Sequence, residues 1–247
     1  LVAFSLSPGP TLVVLPEATQ SGAFMDFAQL TRLQRLMADT RLALTTRFPV
    51  LPHDARVGQH NMPRRAEYAF GGDHAPQVWY RDTTLRWVRY ETYSRDTTLA
   101  LATIAEYQLG HAPQVALVEP AAMRALIRAT RHMAGNDGAA ALLSLAAAES
   151  LQHDSGARVF MATVIAKRAI CLLGQGRGDT AREEAHRALL LLRESADARY
   201  VLAVTGIERG ELDASQAQLD TLLAISPGDP DAMALLERIR QSRTAKP

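Results

Sequence analysis

The chain has 247 residues, enough for one elongated repeat array or two small domains, and its 47% hydrophobic content is ordinary for a globular protein with a core. Its 27 basic and 26 acidic residues leave a formal net charge of +1 spread along the whole length, which provides no field to steer a polyanion and argues against nucleic acid as a partner. No window holds 18 uninterrupted apolar residues, so nothing in these residues reads as a membrane span.

Residues 1–21 carry apolar clusters between Pro8, Gly9, Pro10 and Pro16, which suits an extended arm better than a helix. Phe4, Leu12 and Val14 of this arm would form an apolar patch in water, so they are candidate contacts for a partner. From Gly22 to Phe48 the apolar residues Phe27, Leu30, Leu33, Met37, Leu44 and Phe48 recur at helical spacing, and Pro49 ends the helix. "RVGQHN", "QVWY" and "LRWVRY" follow as short β-branched or aromatic runs, read as strands, with a short helix near residues 63–70. The expected unit is a small α/β body over residues 22–95, holding Trp79, Tyr80 and Trp87 as further candidate contacts.

After Asp96, "TTLALATIAEYQLG" reads as a helix closing on Gly110. Pro120 suits the first turn of the next helix, Asp137 caps another, and Ser155 opens "GARVFMATVIAKRAICLLG". Cys171, the only cysteine, lies in this apolar run and has no partner for an intramolecular disulfide, so it reads as a small buried hydrophobe.

Residues 162–195 and 196–229 then place the same residue types at the same places. Ala169 falls on Ala203, Gly176 on Gly210, Leu189 on Leu223 and Leu191 on Ile225. A helix pair needs a small residue where its helices cross, a glycine at the turn and apolar residues along the second helix. The 34-residue period resembles the tetratricopeptide repeat, with Pro227 at the consensus proline and Arg193 departing from it. The resemblance implies a mainly α protein, a tetratricopeptide-like solenoid of antiparallel helix pairs over residues 96–247, preceded by the small α/β unit and closed by a capping helix after Pro230. The glycine spacing lengthens to 41 residues between Gly135 and Gly176, so the earlier pairs drift from the period. In this register Arg168, Arg199 and Glu208 fall on first helices and are candidate residues of the surface that holds a partner.

A second resemblance covers about residues 26–93. A helix, "FPVLPHDARVGQHNMP", a glycine pair and "APQVWYRDTTLRWVRY" are similar to the soluble tail that follows the transmembrane helices of some bacterial membrane-bound glycosyltransferase-type proteins. This implies a domain outside the cytoplasm beside a membrane, and carries over no active site.

Candidate chemistry is sparse. His53, His60 and His74, with Asp54 and Asp73, offer metal-ligand atoms, but not at a spacing that metal folds impose. No "Gly-x-Ser-x-Gly" elbow occurs, and "GQGRGDT" follows a helix and lacks a P-loop lysine, so it reads as an inter-helix turn. No cofactor is expected. The expectation is a non-catalytic protein-interaction scaffold, an accessory subunit of a membrane-associated assembly, periplasmic or membrane-peripheral, with a cytoplasmic location left open. Two other classes remain: the soluble domain of a membrane glycosyltransferase-like enzyme, and a small-ligand binder at the tryptophan and histidine-rich unit. Because the first residue is Leu1, an upstream signal or anchor is also left open.

Overall fold

A computed structural model describes residues 2–5, 11–14, 27–60, 74–89, 101–106 and 113–244. Both described stretches of the N-terminal arm are extended and pair with each other: β1 (Val2–Ser5) runs antiparallel to β2 (Thr11–Val14), with Phe4 opposite Leu12 and Val2 opposite Val14. Helix α1 (Phe27–Arg47) stops where Pro49 cannot donate, its last backbone bond running from the Phe48 amide to the Leu44 carbonyl. It buries Thr40 and Leu44 and packs Leu33, Leu36 and Met37 on the sheet core.

The sheet contains β3 (Arg56–His60), β4 (Arg86–Arg89), β5 (Leu101–Glu106) and β6 (Gln114–Leu117) in the order β4-β3-β5-β6. The first three strands are parallel, and β6 is antiparallel to β5. β3 and β4 fall on two of the runs read as strands. "QVWY" does not: it lies in helix α2 (Ala75–Tyr80), ended by Arg81 in a left-handed conformation at φ 54°. Its β-branched and aromatic content favours a strand, but Pro76 in the first turn fixes a helical φ and the Gln77 side chain ties the helix to the Leu85 carbonyl. The second correction concerns "LATIAE", read as part of a helix and found as β5. Its alanines and leucine favour a helix in isolation, whereas pairing with β3 on one side and β6 on the other satisfies its backbone. The helix expected near residues 63–70, together with Asp96 and Gly110, lies outside the described residues.

The helical array begins at α3 (Pro120–Ala134) and continues through α4 (Gly138–Leu151), α5 (Arg158–Gly174), α6 (Gly178–Leu191), α7 (Ala196–Glu208), α8 (Leu212–Ile225) and α9 (Pro230–Thr244). Three helix pairs are joined by the same turn. Gly176 (φ 72°) and Gly210 (φ 77°) hold the left-handed position in the second and third pairs, and Asn136 (φ 57°) holds it in the first. In each turn the next amide reaches back to a carbonyl five residues earlier: Asp137 to His132, Arg177 to Leu172, Glu211 to Gly206. The first pair is therefore a full repeat, with asparagine where the others have glycine. Its longer spacing comes from a loop over residues 152–157, where the next pair has only 192–195, and from α5 having 17 residues against 13 in α7.

Aligned on these turns, Ala129, Ala169 and Ala203 are equivalent on the first helices, and all three are fully buried. On the second helices Ala141, Leu145 and Ala148 match Ala181, Ala185 and Ala188, then Ser215, Leu219 and Leu222, again buried. Small residues let the helices of a pair approach closely, and the larger Leu219 and Leu222 fill space beneath α9. On α9 the positions equivalent to Ala203 and Gly206 are Glu237 and Arg240, exposed and paired with each other at 3.5 Å.

The sheet and the array share a joint. Along β6, Val115 packs toward the core of Leu44, Val57 and Trp87, and Ala116 faces that of Met123, Leu126 and Phe160. The loop after α4 secures it: the Gln152 amide donates to the Leu117 carbonyl at 2.9 Å and accepts from the Glu119 amide at 3.1 Å. Asp154 accepts from the Leu117 and Gly156 amides, each at 2.8 Å, and from Arg47 of α1 at 2.9 Å. Burial opposes ionisation of Asp154, but these donors outweigh it and hold the carboxyl below its usual range.

Candidate functional site

In the later pairs the first helices touch one another, α5 with α7 and α7 with α9, while α3 and α5 meet through the core of Met123, Leu126 and Phe160, and the second helices make little or no mutual contact. The first helices therefore line the inner side of the array. α5 and α7 each have one buried face against the preceding pair, another against their own second helix, and a half-buried stripe between them, and the stripe continues on α3 beside the face that meets α4. The stripe contains two sets of repeat-equivalent residues: Thr130, Ile170 and Val204, and Met133, Leu173 and Ile207. Beside it, Lys167 of α5 and Asp197 of α7 form an ion pair at 3.6 Å. The result is a mainly apolar ridge crossing three helices, its one lysine neutralised. On α9 the equivalent positions are Arg238 and Gln241, where the apolar character ends.

The arginines singled out from the sequence lie elsewhere on these helices. Arg168 points toward the second helices, where it bonds Glu149 of α4 and approaches Glu184 of α6 at 3.7 Å. Arg187 completes this group through Glu184 at 2.6 Å and Glu149 at 3.5 Å, and its guanidinium pKa is raised because those two carboxylates outweigh desolvation. The four charges tie α4, α5 and α6 together. Arg199 donates to Gln218 of α8 at 2.7 Å and to the Arg193 carbonyl, and burial lowers its pKa. Glu208, the last residue of α7, is exposed, and its carboxylate reaches the start of α6, 3.6 Å from where a side chain on Gly178 would begin, a placement that suits the positive end of that helix. The stripe was missed because its residues are ordinary core-type side chains, recognisable only once the three turns are superposed.

Trp79, Tyr80 and Trp87 pack on the sheet core. Trp87 is 4% exposed and meets Trp79 edge to face, centroids 6.1 Å apart and planes at 87°. The Tyr80 hydroxyl donates to the Phe48 carbonyl at 2.9 Å, and burial pushes its pKa up to about 12. A phenol whose folded pKa lies above its unfolded value near 10 contributes stability that is complete below pH 10 and is lost as the pH rises toward 12. Denaturant midpoints measured from pH 9 upward should therefore fall in the native protein, and this component of the fall should disappear in Tyr80→Phe.

His53 and His74 have separate partners. His53 is exposed and pairs with Asp82 at 2.8 Å, and His74 meets Gln77 at 3.0 Å at the start of α2. His60 ends β3, opposite Glu106 of β5. Among the described residues no group of three histidine, cysteine or carboxylate side chains is placed to hold a metal. Asp82 is held below its usual pKa by hydrogen bonds from Thr84, with a smaller contribution from His53. Cys171 is buried, and burial pushes its thiol up against the opposing effect of Lys167. Among the described residues no helix is long and apolar enough to cross a membrane. For Phe4, Leu12 and Val14 the structure places the strands, in register with one another.

Residues 172–239 match the family described as Tetratricopeptide repeat, a segment running from the end of α5 into α9. It does not touch residues 26–93, which carry the second resemblance. Solved structures similar to the chain include the Arabidopsis OM64 TPR domain, with 18% identity over 49% of this chain and 96% of that one, at a TM-score of 0.44. Another is the first TPR of Spaghetti (RPAP3) bound to an HSP90 peptide, with 13% identity over 51% and 97%, at a TM-score of 0.45. A third is the second TPR domain of human RPAP3 in complex with an HSP70 peptide, with 20% identity over 48% and 94%, at a TM-score of 0.41. No curated protein matches the chain.

Proposed function

We propose that the protein is a non-catalytic interaction module that holds a segment of another protein against the inner stripe of its helical array, as an accessory subunit of a membrane-associated assembly on the extracytoplasmic side. The observation that carries the first part is the alignment of half-buried, mainly apolar residues across α3, α5 and α7 at repeat-equivalent positions, in an array whose residues 172–239 match the tetratricopeptide repeat family. Residues there are neither sealed into a core nor replaced by charge, as a purely solvated face would favour. With Lys167 matched by Asp197, the stripe suits a segment that is itself mainly apolar. Placement beside a membrane rests on the resemblance of residues 26–93.

The test is capture from native membranes with Ile170→Glu/Val204→Glu, alongside the milder Ile170→Thr/Val204→Thr. Both variants are expected to keep a cooperative helical melt, the glutamate pair losing the co-purifying partner and the threonine pair retaining it in part. Undiminished capture by a folded glutamate variant would remove the stripe from consideration.

A further inference from the structure

The start of the array has a face unlike any other in it. On α5, Val164 and Cys171 lie in one core with Ala141, Leu145 and Ala148 of α4, and Arg168 between them bonds Glu149 of the same helix. On α7 the equivalent residues are Ala198, Leu202 and Thr205, and the first two lie in the core formed with Ala181, Ala185 and Ala188 of α6. This is the face by which a first helix meets the second helix of the preceding pair. On α3 the equivalent positions are Arg124, Arg128 and Arg131. Among the described residues no helix pair precedes α3, and all three arginines are exposed.

The three arginines stand at i, i+4 and i+7, on one line about 10 Å long. Among the described residues none of them forms an ion pair or side-chain hydrogen bond, and α3 itself contains no carboxylate. Like charges four residues apart oppose helix formation, so solvation alone is a poor reason for this arrangement. α9 shows the alternative: the positions equivalent to those that α8 covers on α7 carry Glu237 and Arg240, exposed and paired with each other. Elsewhere in the array several arginines are met by acids on neighbouring helices, as Arg182 is by Glu211 at 2.7 Å and Arg168 is by Glu149.

We propose that the α3 face of Arg124, Arg128 and Arg131 docks an acidic amphipathic helix of a partner protein, seated where the second helix of a preceding pair would lie. The internal template is Arg168, equivalent to Arg128, which takes a glutamate from just such a helix. The partner presents carboxylates at the same four- and three-residue spacing. A helix fits better than a lipid surface because the charges follow one helix axis in the slot that the repeat geometry reserves for a helix. This face is separate from the inner stripe and does not depend on its occupant.

The test uses the full chain and a soluble helical peptide of about four turns carrying glutamates at i, i+4 and i+7, followed by fluorescence anisotropy at low and moderate salt. A peptide with lysines at those positions and vesicles of phosphatidylglycerol are run in parallel. The glutamate peptide should bind the native chain, and Arg124→Glu/Arg128→Glu/Arg131→Glu should weaken it at least about tenfold while gaining the lysine peptide. That gain requires a folded face and so separates lost docking from lost structure. Arg177→Glu/Arg193→Glu/Arg238→Glu, with the same charge change on other exposed positions, should leave both affinities within about twofold. Binding to the vesicles alone, equal losses in the two triple variants, or no binding of the glutamate peptide overturns the proposal. Ile170→Glu/Val204→Glu should bind the glutamate peptide normally, so failure of the inner-stripe reading is distinguishable from failure of this one.

Discussion

Phe160→Ala is expected to destabilise the protein by about 3–5 kcal/mol, the range for removing a fully buried aromatic side chain from a packed core. Phe160 is the largest fully buried side chain among the described residues and belongs to the core that α5 shares with α3, α4 and Val118. Its ring therefore binds the second helix pair to the first pair and to the linker leaving β6. In an array where each pair contacts chiefly its neighbours, the loss should be uneven. Amide exchange should accelerate most in α3 and α4, and least in α8 and α9, which share the separate core of Ala203, Leu219, Leu222 and Ile239. A loss below about 1 kcal/mol would contradict the assignment of this core, because Phe160→Ala leaves a cavity that rigid helix pairs cannot fully close.

Gly206→Leu is the second large effect. A Cβ at Gly206 would lie 2.3 Å from the Ser215 hydroxyl, where α7 and α8 cross, and that hydroxyl is already committed to the Glu211 carbonyl at 2.9 Å. The equivalent pair in α5 and α6 is Leu172 and Ala181, both buried. The two crossings have solved the same contact in opposite ways, a large residue opposite alanine and no side chain opposite serine. Forcing leucine against Ser215 should cost about 3 kcal/mol, combining overpacking with an orphaned hydroxyl. Adding Ser215→Ala, which recreates the α5–α6 chemistry, should return about half of that loss, whereas Ser215→Ala alone should cost about 1 kcal/mol. Denaturant titration of the four proteins measures the cycle. Strict additivity would show that the two residues do not share a contact.

What could be read in the sequence was whatever repeats. Ala169 with Ala203 and Gly176 with Gly210 mark the second and third pairs because the same crossing and the same turn recur at one interval. The first pair was obscured by an exchange that keeps the conformation: Asn136 adopts the left-handed position of those glycines, so alignment on Gly135 missed it by one residue. The sheet was harder to read, since β5 is a strand by virtue of its neighbours and α2 a helix by virtue of Pro76, and local propensity points the other way in both. The candidate contacts were displaced for a related reason. Register correctly put Arg168 and Arg199 on first helices, but their bonds to Glu149 and Gln218 turn them toward second helices, and only packing reveals which side of a first helix stays open.

The central claim is that the inner stripe, rather than the outer surface of the second helices, holds the partner. A photo-crosslinking amino acid placed at Val204 on the stripe, and in a separate protein at Leu143, which is exposed on α4, tests it in native membranes. The account predicts a discrete protein adduct from position 204, abolished by Ile170→Glu, and none from position 143. Adducts arising equally from both positions, or from 143 alone, would contradict it.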